Sequence, residues 1–595
     1  MKFRWSLAPP QPLLAGQVAS ALKLSPLLAQ CLLNRGLSDP ALISGFLEPR
    51  LKCLADPFLL PDMGTAVERL FRALHDHEPV VLFGDYDVDG VTATALLLET
   101  LRPLGWQIDS YLPHRLDEGY GLGLDAIENC LRRFPRTRLL LAVDCGSNST
   151  ESIARLHQRG VDVIVLDHHQ TAEPLPPAVA LINPHRRARA AAESAVGGAI
   201  SVEEPFRELC SVGLAFKLAH ALVKHGRSVG LAGAGEFDLR PLLDLVALGT
   251  IGDIVPLTGE NRILVSTGLQ RLRTTGRPGL RALKKVSQTL EELGSYEVGF
   301  QLGPRLNAAG RLETAEEALE LLLSRDENRA MQLARTLDQH NRERQKIERT
   351  TVSEVVASLE GRFDPERDFV IVEGQKPWHI GVVGIVASRV LQKYYRPTIV
   401  FGGDGEDLRG SGRSVPGFDL AAALRQCGDL LLRHGGHAMA VGVSIQESNV
   451  EAFRSRLNEL ARQTLGNEEC RASLALDAEV GLEEMTLECV RSLERLRPTG
   501  QGNPPVNFVA RNLAHRRPLQ RLGAEKQHVK MWVTDGTTTH EAVWWGAGEG
   551  SLPVGRFDLA FAPQVNRYNG QSAIQLKVLD WQSSQSASAR PGFAS

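Results

Sequence analysis

From residue 62 onward, short apolar runs alternate with longer segments whose apolar positions recur every three or four residues. The first kind predicts buried strands and the second amphipathic helices. PVVLFGD (79–85) is a strand, and VTATALLLETLRPLG (91–105) is the helix after it. RLLLAVDCG (138–146), SNSTESIARLHQRG (147–160) and VDVIVLDHH (161–169) continue as strand, helix, strand. Strands with so few polar interruptions, separated by helices, predict a parallel sheet covered on both faces. Helical text then runs to LLDLVALGTIGDIVPL (242–257), and the unit ends near residue 260.

The flanking patterns predict further units. Residues 17–50 read as short helices, so 1–60 are expected to form a helical appendage before an α/β domain at 61–260. Residues 261–360 read as a helical connector; within it, 327–359 are highly charged and free of Gly and Pro. That stretch predicts one long helix, either a rod joining two lobes or a solvated surface helix. A second, smaller α/β domain is expected at 361–465: strands RDFVIVEG and RPTIVFGG, helix GVVGIVASRVLQKYY, and helix FDLAAALRQCGDLLLRHGGH closed by Gly435 and Gly436. Short alternating segments such as HVKMWVTDG and QSAIQLKVLDW then predict a small β-barrel or sandwich over 466–582. Trp532, Trp544, Trp545 and Trp581 fall there, where alternation favours a core role over a base-stacking surface. The polar end, 583–595, is expected to be disordered.

Composition narrows the class. The chain of 595 residues is 43% hydrophobic and 23% charged, the balance of a soluble globular protein of several domains. A net charge of −3 means that any grip on a polyanion comes from local basic patches or metal ions. Eight cysteines form no C-x-x-C pair, which argues against a zinc knuckle or a disulfide framework. No leader and no membrane span are recognisable, so a cytoplasmic location is expected.

The candidate chemistry lies where the strands end. Asp85, Asp87 and Asp89 follow the first strand, Asp144 the second, and Asp167, His168 and His169 the third; Asp253 follows a fourth apolar segment. Carboxyl ends of parallel strands are where ligand sites gather. Acids crowded together cannot all stay ionised without a compensating cation. Oxygen ligands with one or two imidazoles suit a pair of Mn²⁺ or Mg²⁺ ions, and two such ions could activate water against a phosphodiester. The plainer reading is a set of polar turn caps.

GDYDVDG, VDCG, LDHH and GTIGDIVPL together resemble the four motifs of the DHH/DHHA1 phosphoesterase superfamily. GPRLNAAGRL, LDQHNRER, GRSVPGFDL, HGGHAMAVG and QGNPPVNF extend the resemblance over nearly the whole chain, toward its single-strand-specific 5′→3′ exonuclease branch. The resemblance implies a DHH catalytic domain, a DHHA1 substrate-binding domain and an OB-like barrel. It implies that Asp87 ligates one metal and Asp89 the other, that Asp144 bridges both, and that His168 and Asp253 complete the second site. Asp167 would orient a neighbouring ligand, and His169 would sit near the scissile phosphate; Asp85 is left as a supporting or turn residue. Phe83 stands where smaller superfamily members carry a histidine, which would leave one metal with fewer protein ligands.

Phosphate contacts are expected from Ser411, Arg413 and Ser414, from Arg305, Asn307 and Arg311, from Arg115 beside Tyr120, and from Gly436 and His437. The implied activity is release of 5′-mononucleotides from single-stranded DNA in repair and recombination. Implied partners are single-stranded DNA, single-strand-binding protein and a helicase. The alternative is a phosphodiesterase for short oligonucleotides or cyclic dinucleotides.

Overall fold

The computed structural model describes residues 3–115, 117–186, 205–289, 293–403, 407–466, 470–548, 550–568 and 571–584. The tail expected to be disordered lies outside the described residues from 585 onward.

Five parallel strands run in the order Ile108–Tyr111, Val80–Gly84, Leu139–Val143, Asp162–Leu166, Ala180–Ile182. The first of these strands in chain order therefore lies between the second and the third, and connections leave it in opposite directions. That is a topological switch point, with a crevice at its carboxyl end. Alternate side chains enter two cores: Val80 and Leu82 face one, Val81 and Phe83 the other. Double coverage is why these strands read as unbroken apolar runs.

The long helix is Glu327–Leu359, about 50 Å at the usual helical rise. Its Ala330, Leu333, Ala334 and Leu337 belong to the core of the first α/β lobe, while Val355 and Leu359 belong to a core of the second. The rod reading therefore holds. Arg344 pairs with Glu348 one turn on at 2.6 Å, and Arg389 of the Val383–Tyr394 helix reaches the same Glu348 at 2.9 Å.

The second lobe has a mixed sheet in the order Leu431–Gly436, Ala440–Gln446, Asp407–Arg413, Thr398–Gly402, Ile371–Gly374. One expectation fails here. The helix predicted over 418–437 is Leu420–Arg425, followed by the strand Leu431–Gly436. The apolar face Leu420, Ala421, Ala423, Leu424 ends at that first helix, and beyond Gly428 the chain forms a hairpin with Ala440–Gln446. Gly436 is thus no helix cap: at φ +129° it enters the hairpin turn, where a Cβ would lie 2.4 Å from the Ala440 carbonyl oxygen.

The C-terminal sheet closes on itself. Strands Phe508–His515, Phe557–Tyr568, Gln571–Ser583, Thr539–Trp544 and His528–Thr534 pair in sequence, and the last also pairs with the first, as in a five-stranded OB-like barrel. Trp544 and Trp581 pack against its core, whereas Trp545 is half exposed.

The N-terminal segment joins this barrel. Arg4–Leu7 pairs in parallel with Ser473–Leu476, Trp5 Nε1 donates to Asp580 at 2.9 Å, and the helices Pro12–Leu22, Pro26–Asn34 and Pro40–Leu47 share the barrel's core. Among the described residues no single helix is long and apolar enough to cross a membrane.

Arg262 locks the Gly259–Arg273 helix to the N-terminal helices and to the segment that leads into the barrel. It is 2% exposed and lies 3.7 Å over the Phe46 ring. Its guanidinium donates to the carbonyls of Phe46, Arg495, Leu496, Arg497 and Pro498 at 2.7–3.3 Å. Burial draws its pKa down to about 10. Arg262→Ala strands several buried acceptors and is expected to cost at least about 3 kcal/mol, read as a lowered midpoint in urea denaturation; an unchanged midpoint would refute the lock.

Candidate metal centre and phosphate cleft

Each acid is held by a local device. Asp87 caps the helix Val88–Leu101, its Oδ1 accepting from the backbone N–H of Asp89 and Gly90 at 2.9 and 3.2 Å. Asp89, on the first turn, accepts from the backbone N–H of Ser211 and Val212 at 2.7 and 2.8 Å, so the positive end of the Ser211–Ser228 helix points at it. Asp144 leaves its strand at φ +64° and accepts from Ser211 Oγ at 2.8 Å. Asp253 caps the Leu243–Gly252 helix. A Cβ on Gly249 or Gly252 would fall 2.3 Å from Thr92 Oγ1 or 2.2 Å from Val88 Cγ1, so both glycines are needed for that helix to approach Val88–Leu101.

The result is three overlapping donor groups, each within 4.8 Å: Asp85–Asp87–Asp144, Asp89–His168–Asp253, and Asp144–His168–His169. His168 Nε2 lies 3.5 Å from Asp144 and from Asp253, and 3.9 Å from Asp89. Asp167 turns to His169 instead, accepting from its backbone N–H at 3.2 Å and meeting Nδ1 at 2.7 Å. Tyr120 Oη lies 3.3 Å from the His169 ring nitrogens and donates to the Asp144 carbonyl at 3.1 Å. Phe83 stacks on Tyr111 within the other core, and Asp85 joins Asp87 and Asp144 in one donor group.

Electrostatics test whether a cation fits. Burial, then Asp87, pushes Asp89 up to about 7; burial, then Asp89 and Asp87, pushes Asp253 up to about 9. Asp85 and Asp144 are raised by burial and neighbouring acids. Burial, then His169, lowers His168 to about 4, leaving a neutral imidazole able to ligate. Burial opposes charge on His169, but Asp167 outweighs it and the pKa rises. Asp85 Oδ1 and Asp253 Oδ2 are buried without a hydrogen-bond partner among the described residues. Hard oxygens, one imidazole and uncompensated acids fit divalent cations.

A second feature sits between the lobes. A cleft of about 120 Å³ is lined by Arg115, Ile380, Gly381, Val383, Arg409, Gly410 and Ser411. Arg413 Nη2 and Ser411 Oγ both approach Gly384. Arg115 lies over Tyr86 at 5.1 Å, and Arg311 donates to the Gly381 carbonyl at 3.1 Å. Burial, then Arg115, lowers both Arg311, to about 10, and Arg413. Guanidiniums that repel one another in a cleft call for an anion.

Other expected phosphate contacts are engaged elsewhere. Arg305 pairs with Asp338 at 2.9 Å, and Ser414 is buried with its Oγ donating to the Phe418 carbonyl. Asn307 Oδ1 accepts from Val88 N–H at 2.8 Å, which positions the Asp87–Asp89 turn. Gly436 and His437 are exposed at the hairpin turn. Sequence reasoning missed Ser211; its only signal was its place at the start of an apolar helix.

A switch-point cluster of acids and one imidazole, with a second lobe closing a basic cleft over it, defines a metal-dependent phosphoesterase of the DHH type. Residues 79–250 match the DHH family N-terminal domain, 367–463 the DHHA1 domain and 476–580 the RecJ OB domain. The chain belongs to the RecJ family. It is 37% identical over 555 residues to the single-stranded-DNA-specific exonuclease RecJ of Dickeya dadantii, covering 89% of this chain and 92% of that protein. It is 36% identical over 585 residues to the Bacillus subtilis protein of the same name, covering 97% and 71%. The crystal structure of Thermus thermophilus RecJ with Mn²⁺ superimposes with a TM-score of 0.81 at 30% identity, over 98% of this chain and 80% of that one. The Mg²⁺ complex of the same protein gives 0.76 at 28%, over 98% and 79%.

Because Asp89 and Asp253 are raised to about 7 and about 9 without a cation, Mn²⁺ binding near neutral pH should release protons. Calorimetric titration in buffers of different ionisation enthalpy measures the number. Asp253→Asn should reduce both that number and the affinity; an unaltered titration would remove Asp253 from the site.

Proposed function

We propose that this chain degrades single-stranded DNA from its 5′ end and releases 5′-mononucleotides, in DNA repair and recombination. The observation that carries the reading is the pair of donor groups, Asp85–Asp87–Asp144 and Asp89–His168–Asp253, next to a basic cleft between two lobes. Asp85, Asp87 and Asp144 would hold one cation, and Asp89, His168 and Asp253 the other, with Asp144 reaching both. Bound Mn²⁺ or Mg²⁺ supplies Lewis acidity toward the phosphodiester and the attacking water.

The chain's own residues do the rest. His169, held charged by Asp167 and edged by Tyr120, faces a non-bridging oxygen of the scissile phosphate. Arg115, Arg413 and Ser411 take the 5′-terminal phosphate, with Arg311 buttressing the cleft. Fixing the terminal phosphate there sets the cut one nucleotide in, so the product is a mononucleotide. His437, exposed in its turn, is free to meet a backbone phosphate. In this reading the passage between the lobes, tied by the Arg311–Gly381 hydrogen bond, admits a single strand and excludes a duplex. The barrel grips incoming DNA, single-strand-binding protein and a helicase supply exposed strands, and the cytoplasm is where the substrate lies. Chain length and the added barrel disfavour the short-oligonucleotide alternative.

End-labelled single strands and duplexes, incubated with Mn²⁺ or Mg²⁺ and sized, test this reading. Mononucleotides should leave only from 5′ ends of single strands, and Asp144→Ala should abolish release. Release from 3′ ends, or full activity in Asp144→Ala, would refute it.

A further inference from the structure

Two aromatic side chains stand in solvent on turns that pack against the helix capped by Asp253. Tyr296 and Phe300 are 61% and 69% exposed, with ring centroids 4.8 Å apart and planes 31° apart. They lie four residues apart on consecutive helical turns, Ser295–Glu297 and Val298–Leu302, and so share a face. The second turn is π-helical, a rare form that is frequent at functional sites. Exposed apolar area concentrated in one place marks a surface that something covers.

Their position says what. Gly299, between the two rings, lies against Ile251, where a Cβ would stand 3.6 Å from Ile251 Cγ2. Two residues beyond Ile251 is Asp253, and after it Ile254, 72% exposed at φ +63°. A β-branched residue seldom adopts that backbone conformation, and such outliers cluster at ligand sites. On the other side, Ser295 Oγ donates to the Thr499 carbonyl at 2.5 Å, anchoring the turn to the segment that leads into the barrel. Continuing along the chain, Gly310 packs on Tyr86 and Arg311 reaches the basic cleft, about 16 Å from Phe300 by helical rise. The donor groups thus have two flanks: Asp85 and Asp87 toward the cleft for the terminal phosphate, and Asp253 toward the aromatic pair.

We infer that Tyr296 and Phe300 form a base-stacking platform for the nucleotides 3′ of the scissile phosphate. The inference rests on the exonuclease reading above. A single strand offers unstacked π-faces of every base, so aromatic rings hold it without regard to sequence. A duplex keeps those faces inside its own stack, and the platform therefore favours single strands independently of the width of the passage.

Steady-state hydrolysis of 5′-phosphorylated single strands tests the platform with two double variants, Tyr296→Ala/Phe300→Ala and Tyr296→Phe/Phe300→Tyr. The alanine pair should raise KM about tenfold or more, leaving kcat, Mn²⁺ affinity and thermal midpoint near wild type. The ring-conserving pair should behave as wild type. Abasic residues at successive positions 3′ of the cut should raise the wild-type KM at one or two positions and add nothing in the alanine pair. A wild-type KM in the alanine pair overturns the inference, as does an equal loss on abasic and normal strands, or a changed oligomeric state with KM unmoved. A wild-type protein inert on single strands overturns the exonuclease reading as well, and it is distinguished by needing no substitution.

Discussion

Repulsion among five carboxylates is the constraint on which the catalytic lobe depends. Asp85, Asp87, Asp89, Asp144 and Asp253 crowd into one largely buried space, where charge is expensive. The fold offsets part of that cost with fixed dipoles: Asp89 takes the first N–H groups of the Ser211–Ser228 helix, Asp87 those of its own helix, and Asp144 the Ser211 hydroxyl. The remainder is left for cations. Two glycines bring Asp253 against this cluster, and the switch point brings Asp144 beside Asp85. Scaffold and chemistry are one arrangement.

The catalytic centre was more legible in the sequence than its surroundings. Asp87, Asp89, Asp144 and His168 follow strands whose apolar runs announce a parallel sheet, so chemistry and position could be read together. The place of Asp85 required knowing that Phe83 turns into the other core, a matter of strand alternation that residue type alone does not convey. Arg305, Asn307 and Ser414 sit in motifs that suggest substrate contact, yet their partners Asp338, Val88 and Phe418 depend on tertiary or turn geometry. The Leu431–Gly436 strand was missed because apolar leucines before a glycine pair also fit a capped helix.

The connections between lobes were the least legible. Nothing in the local pattern of Arg262 sets it apart from a surface arginine, although it binds carbonyls from two distant segments. A guanidinium suits this work because it keeps its charge and spreads five donors in a rigid fan. The long helix makes the other connection, its two ends packing into the cores of the two α/β lobes.

The pairing of Arg4–Leu7 with Ser473–Leu476 also dictates a timetable. During synthesis the earlier strand must wait for a partner some 470 residues later, about 25–95 s at ordinary rates of chain growth. Through that interval Leu28, Leu32 and Ile43, all buried in the finished protein, have no barrel to cover them. The catalytic sheet, whose strands are complete by Ile182, can assemble in the meantime. The barrel is therefore the last piece to close, and its closing gathers in the strand and helices made first.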